Sequence, residues 1–192
     1  MFDLANSRDF YAMLVHDFDD YMNEQHSARR AFHCIISSYH LYEWVWGDWL
    51  KGDYAVQKAL GIRDRESFSA WICRVCIWFI FVRDLANGSK HFSAGKQGLE
   101  TMRVAALPFA LDQPNAGLDM GAWDGPIRYV QSAAPIGPHG EGYLLIDLGE
   151  VAGEMRYLPA SQLIEVVVRF WRDFFRLYRP SADLPVSKHH VD

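Results

Sequence analysis

The chain has 192 residues, half of them apolar and 15% aromatic, with seven tryptophans; that is enough for one domain with a full hydrophobic core and argues against disorder except at the ends. A formal charge of −5 argues against a protein that coats nucleic acid through a bulk basic field, while leaving room for a local basic stripe. Cys34, Cys73 and Cys76 sit inside apolar helical runs, which is not a secreted disulfide framework, and no apolar run approaches the ~18 to 20 residues needed to span a bilayer. No charged and then apolar leader opens the chain, so the expected setting is a reducing cytoplasm with no membrane association.

Along the chain, residues 7–25 repeat apolar groups at Phe10, Leu14, Phe18 and Tyr21, a one-faced helix with Ser7 and Asp9 at its acidic start. A second helix is expected from the Ser27 N-cap to about Leu50, ended by Lys51-Gly52, and a short third one from Asp53 to Leu60, stopped by Gly61. A fourth starts near residues 64–67 and continues unbroken to Ala86, with Asn87-Gly88 as its stop. Being apolar nearly all round, it is expected to be the central helix of a bundle.

The composition changes over 88–153, where Gly and Pro concentrate and the periodicity shortens toward two. Strands are expected at 101–111, 127–132, 143–148 and 155–158, joined by turns at 114–117 and 137–142. A last helix, opened by Pro159 or Ser161, carries Leu163, Val166, Val167, Phe170, Phe174 and Leu177 on one face and ends at Arg179-Pro180; the tail beyond is expected to be polar and loose. The fold class that follows is α+β: a single domain over 1–192, with an antiparallel helical bundle built from 7–95 and 159–179 and a small antiparallel β-sheet at 100–158 inserted before the C-terminal helix.

The stretch Arg83-Asp-Leu-Ala-Asn-Gly-Ser-Lys-His91 puts four polar groups directly after the apolar run 71–82. If helical geometry persists, Arg83, Asn87 and Lys90 or His91 share a face; if the helix ends at Gly88, Lys90 and His91 fold back across its end. Either route gathers a guanidinium that grips phosphate bidentately, an ammonium point charge, an amide and an imidazole able to move a proton near neutral pH. The plainer alternative is that Arg83 pairs with Asp84 beside the helix C-terminus and that Asn87-Gly88 is a cap.

An arginine followed by polar residues and a histidine at the end of a core bundle helix resembles the HEPN superfamily, the nucleotide-binding domains of higher eukaryotes and prokaryotes. The gap between Arg83 and His91 is longer than that family's usual spacing. The resemblance covers 7–95 and the last helix, and implies a dimeric helical bundle with a metal-independent RNA-cleaving site, some members of the superfamily being non-catalytic. By that resemblance Arg83 stabilises the phosphate, His91 acts as acid or base, and Asp84 is the polar residue after the arginine. The segments 39–46 and 86–91 also resemble bacterial proteins without an assigned activity.

His26, His33 and His40 recur every seven residues and form one stripe of the second helix, opposite Ala31, Phe32, Ile35, Tyr39, Tyr42, Trp46 and Trp49. His40 with Glu43 then either completes a polar pocket with the Arg83 segment or belongs to a solvated or subunit-facing stripe. As a metal pair, His40-x-x-Glu43 reverses the order of bundle di-iron sites and lacks matching acidic ligands on other helices, so no metal and no cofactor is expected. Cys73-x-x-Cys76 reads as buried thiols rather than a redox pair. Arg169, Arg172, Arg176 and Arg179 form a row that either tracks phosphates or is a solvated cationic face. The glycine-rich turns lack the context of a phosphate loop.

The reading assembled from these residues is an RNA- or nucleotide-directed protein acting on phosphodiesters, with Arg83 and His91 catalytic, Asn87, Lys90 and His40 on the substrate, RNA or a nucleotide as ligand, and a homodimer as the assembly. The competing reading is a non-enzymatic module for a protein partner, in which 83–91 only shapes the link into the sheet. A third is a small-molecule cleft lined by Trp44, Tyr42 and the β-turns.

Overall fold

The computed structural model describes residues 4–88, 119–120, 128–131, 144–147, 157–180 and 183–189. It is mostly helical, with six α-helices among those residues: α1 (Ser7–Asn23), α2 (Ala28–Asp48), α3 (Tyr54–Leu60), α4 (Arg65–Val75), α5 (Phe79–Gly88) and α6 (Ala160–Tyr178). A helical bundle is therefore the framework.

Local chemistry explains the helix ends. Asn6 caps α1, which starts at Ser7 as expected: the Asn6 side chain accepts from the backbone N–H of Arg8 at 2.9 Å and of Asp9 at 3.0 Å, while Ser7 turns its hydroxyl to Asp48 at 2.7 Å. Ser27 caps α2 as its sequence position predicts. Asp53 caps α3, and Gly61 closes it at φ 68°, a left-handed conformation that glycine adopts without a Cβ penalty. Asp64 and Ser67 form a reciprocal capping box at the start of α4.

Two expectations are corrected. The fourth helix is not continuous to Ala86: it stops at Cys76, whose backbone is extended (φ −126°, ψ 87°), and restarts at Phe79. The run Val75-Cys-Ile-Trp-Phe-Ile80 is β-branched and aromatic, which costs side-chain freedom in a helix. Nor is this stretch the central element. Phe68 and Ile72 are the buried residues of α4, whereas Val75 and Ile77 at the elbow are 51% and 64% exposed. The central helix is α2, which packs against α1, α4, α5 and α6 and buries Cys34, Leu41 and Val45 in addition to Ala31, Ile35, Tyr39 and Tyr42.

The core is aromatic. Trp171 of α6 is fully buried among Phe79, Phe170 and Phe174, with rings edge-on at 5.2–6.0 Å, and its indole N–H donates to the Ser38 carbonyl of α2 at 2.9 Å. Tyr11, Leu14, Phe18 and Tyr21 of α1 are buried on the face that the periodicity marks.

The small sheet expected over 100–158 is not shown as a layer of the fold. Among the described residues the β part comes down to β1 (Asp119–Met120), β2 (Arg128–Gln131), β3 (Leu144–Asp147) and β4 (Tyr157–Pro159). These segments of two to four residues pair antiparallel in chain order, with Ile146 opposite Leu158 in the last pair. The strand expected at 101–111 and the turns at 114–117 and 137–142 lie outside the described residues. The tail is not loose over 183–189: Ser187 is buried, its hydroxyl and the Lys188 N–H donate to Asp19, and Arg8 donates to the Asp183 carbonyl at 2.7 Å.

Candidate functional site

The elbow at Cys76 decides what surrounds Arg83. In an uninterrupted helix, residues ten apart are separated by about 15 Å along the axis. Here α5 folds back so that an Arg83 Nη1–H reaches the Cys73 sulfur at 3.8 Å. The Nε–H of Arg83 donates to Asp84 Oδ1 at 2.9 Å, and this bond raises the guanidinium's pKa above its usual value. The side chain remains 39% exposed. Burial raises the Cys73 thiol's pKa, with the Arg83 charge acting the other way, so Cys73 is a thiol rather than an activated thiolate.

Four residues on, Asn87 lies on the same face of α5 and its amide N–H donates to the Tyr39 hydroxyl of α2 at 3.5 Å. Tyr39 is almost fully buried, and its ring lies 5.3 Å from His40 and 5.2 Å from Tyr42. His40 Nδ1 is 3.2 Å from Glu43 Oε2. The other oxygen of Glu43 accepts from Tyr42 at 3.4 Å and from Arg65 of α4 at 3.4 Å. Burial pushes the Tyr42 hydroxyl well above the ordinary tyrosine range.

A polar seam therefore runs between α2, α4 and α5, from Cys73 and Arg83 through Asn87 and Tyr39 to His40, Glu43 and Arg65. Of the residues expected at the site, Arg83, Asn87 and His40 are described; Lys90 and His91 lie outside the described residues. Arg83 and Asn87 share a face as their spacing predicts, and the plainer pairing of Arg83 with Asp84 is present at the same time. His40 borders the seam through Tyr39, and no hydrogen bond or ion pair joins it to Arg83 among the described residues. Tyr39, Arg65 and Cys73 were not marked by sequence reasoning as site residues. Tyr39 reads as core from its periodicity, and nothing local signals that its hydroxyl meets a residue 48 positions away.

Two hollows flank α2. One, of about 360 Å³, is lined by Ala5, Glu43, Trp44, Gly47 and Asp48; Tyr42, expected in a small-molecule cleft with Trp44, does not line it. The other, of about 190 Å³, is lined by Asp17, Asp20, Arg29, Arg30 and His33. In the second, Arg30 is engaged by Asp20 at 3.0 Å and Glu24 at 2.6 Å, and burial raises the Asp17 carboxyl's pKa although the Ser37 hydroxyl donates to it at 3.3 Å. The histidine stripe is thus split, with His33 in this hollow and His40 at the seam.

The arginine row of α6 is largely paired: Arg169 with Glu165 at 2.6 Å, Arg172 with Asp173 at 3.0 Å, and Arg179 over the Trp49 ring at 5.2 Å. Those contacts favour a structured cationic face over a phosphate track. Among the described residues no helix is long and apolar enough to cross a membrane.

Comparison with protein-family models, with curated proteins and with solved structures gives no match.

Proposed function

We propose that the protein is a HEPN-like, RNA- or nucleotide-directed protein that cleaves phosphodiesters without a metal and works as a homodimer. The observation that carries this reading is the presentation of Arg83. Its guanidinium is part-exposed on the α5 face that also carries Asn87, with Nε spent on Asp84 and one η N–H on a weak sulfur acceptor. Among the described residues, most of its five donors remain for phosphate oxygens. In the proposed chemistry Arg83 and Lys90 offset charge on the phosphorane, while His91 deprotonates the 2′-hydroxyl or protonates the leaving oxygen. Asn87 and His40 hold the substrate. The fold reading that accompanies it, a small antiparallel sheet over 100–158 before α6, is supported by the β2–β3 and β3–β4 pairings.

The test is incubation of the purified protein with mixed RNA in excess chelator. Wild type is expected to cleave, and Arg83→Ala and His91→Ala to lose on the order of 100-fold or more in rate while melting as wild type does. Intact RNA with wild type, or cleavage that survives both substitutions, sinks the proposal. A second reading, a protein-interaction module, is favoured by the exposed Val75 and Ile77 at the α4–α5 elbow; under it His91→Ala changes stability and no RNA is cut.

A further inference from the structure

The seam contains a pair whose chemistry goes beyond holding a substrate. His40 and Glu43 are one helical turn apart on α2, with Nδ1 and Oε2 at 3.2 Å. A carboxylate is an acceptor at both oxygens, so the hydrogen in this pair belongs to Nδ1. The carboxylate is held from its far side by the Tyr42 hydroxyl and the Arg65 guanidinium, both on Oε1, which leaves Oε2 to the imidazole. A neutral imidazole with its proton on Nδ1 carries its lone pair on Nε2, the reverse of the tautomer that free imidazole side chains favour in water. His40 Nε2 has no hydrogen-bond partner among the described residues, and the side chain is 26% exposed. Tyr39 links this imidazole to α5: its ring centroid lies 5.3 Å from that of His40, and its hydroxyl takes the Asn87 amide.

We propose that Glu43 is a positioning residue that fixes His40 as the Nδ1–H tautomer and thereby leaves Nε2 as a proton acceptor at the seam. For the identity of the proton it moves, the inference rests on the RNA-directed reading. As the 2′-oxygen bonds to phosphorus, its proton passes to His40 Nε2; the bond from phosphorus to the 5′-oxygen breaks, and that oxygen takes a proton, the acid role that the RNA-directed reading leaves to His91. His40 thereby moves from substrate holding to proton transfer.

The experiment uses the full chain with ¹⁵N-labelled histidine, at a pH where the ring is neutral, with His40 assigned by His40→Gln. Wild type is expected to show a protonated Nδ1 and a bare Nε2, and Glu43→Ala to return the ring to the Nε2–H form with unchanged melting. Acylation of His40 by diethyl pyrocarbonate, which needs a bare ring nitrogen, is expected to slow in Glu43→Ala at the solvent-facing position. In the RNA assay Glu43→Ala is expected to lower kcat on the order of 100-fold with little change in KM, with partial rescue by Glu43→Gln, whose amide oxygen still accepts from Nδ1. A wild-type ring in the Nε2–H form, or a tautomer indifferent to Glu43→Ala, overturns the inference whatever the RNA assay gives. The expected tautomer with no cleavage by wild type supports the positioning role and overturns the RNA-directed reading instead.

Discussion

Helix α2 meets α6 through Trp171, fully buried, with one hydrogen bond to the Ser38 carbonyl closing the only polar atom of the indole. Another neighbour, α5, is met through Tyr39 and Asn87 in a contact at 3.5 Å that continues outward into Arg83, Asp84 and Cys73. The first contact removes a large apolar area from water and satisfies the indole N–H, so it stabilises the fold and offers no chemistry. The second exchanges hydrogen bonds to water for hydrogen bonds within the protein at small net gain, and leaves a guanidinium in reach of solvent. A helix at the centre of a bundle can thus carry stability on one flank and a reactive edge on the other.

The largest effect that separates the flanks is expected from Trp171→Ala, which empties the α2–α6 contact and removes the indole bond to the Ser38 carbonyl: a loss of about 3 to 5 kcal/mol, read from the urea midpoint at constant m-value. On the seam, Tyr39→Phe removes the acceptor of the Asn87 amide and keeps the ring, with an expected loss of about 1 kcal/mol. A Tyr39→Phe loss as large as that of Trp171→Ala would erase the contrast.

The flank toward α1 sharpens the comparison through pH. Burial raises the Asp17 carboxyl above its ordinary 3.8, so between 3.8 and the folded value the native state binds more protons than the unfolded one. Stability therefore falls as pH rises through that window and stays lowered above it. Asp17→Asn, which keeps an acceptor for the Ser37 hydroxyl, is expected to flatten this fall and to raise stability at neutral pH by less than about 1 kcal/mol. Urea unfolding of both forms from pH 3.5 to 7 checks it.

What the sequence revealed follows the range of the interactions. Caps and stops at Ser27 and Gly61 are set by neighbours within a few residues and were legible; so were the apolar face of α1 and the shared face of Arg83 and Asn87. The start of α1 at Ser7 was legible as well, but not the bond of the Ser7 hydroxyl to Asp48, 41 positions away. The continuous apolar run 75–82 concealed the break at Cys76, since a hydrophobic pattern marks what is to be buried and not where the axis turns. The central place of α2 was hidden for a related reason: Cys34, Leu41 and Val45 lie off the stripe that its periodicity picks out, and only the packing of four other helices covers them. The pairs Arg83–Cys73 and Asn87–Tyr39 depend on that turn and that packing, and no local pattern encodes them.

The elbow at Cys76 also separates two kinds of change in length. A residue gained or lost between Cys76 and Phe79, where no regular ladder runs, is absorbed by a change in the turn and leaves the orientation of α5 to its own contacts with α2. The same change inside α5, between Phe79 and Arg83, rotates everything that follows by about 100° and swings the guanidinium off the seam while Phe79 stays anchored. Sequences that diverge by insertion are therefore free to vary at the hinge and bound to keep count immediately after it.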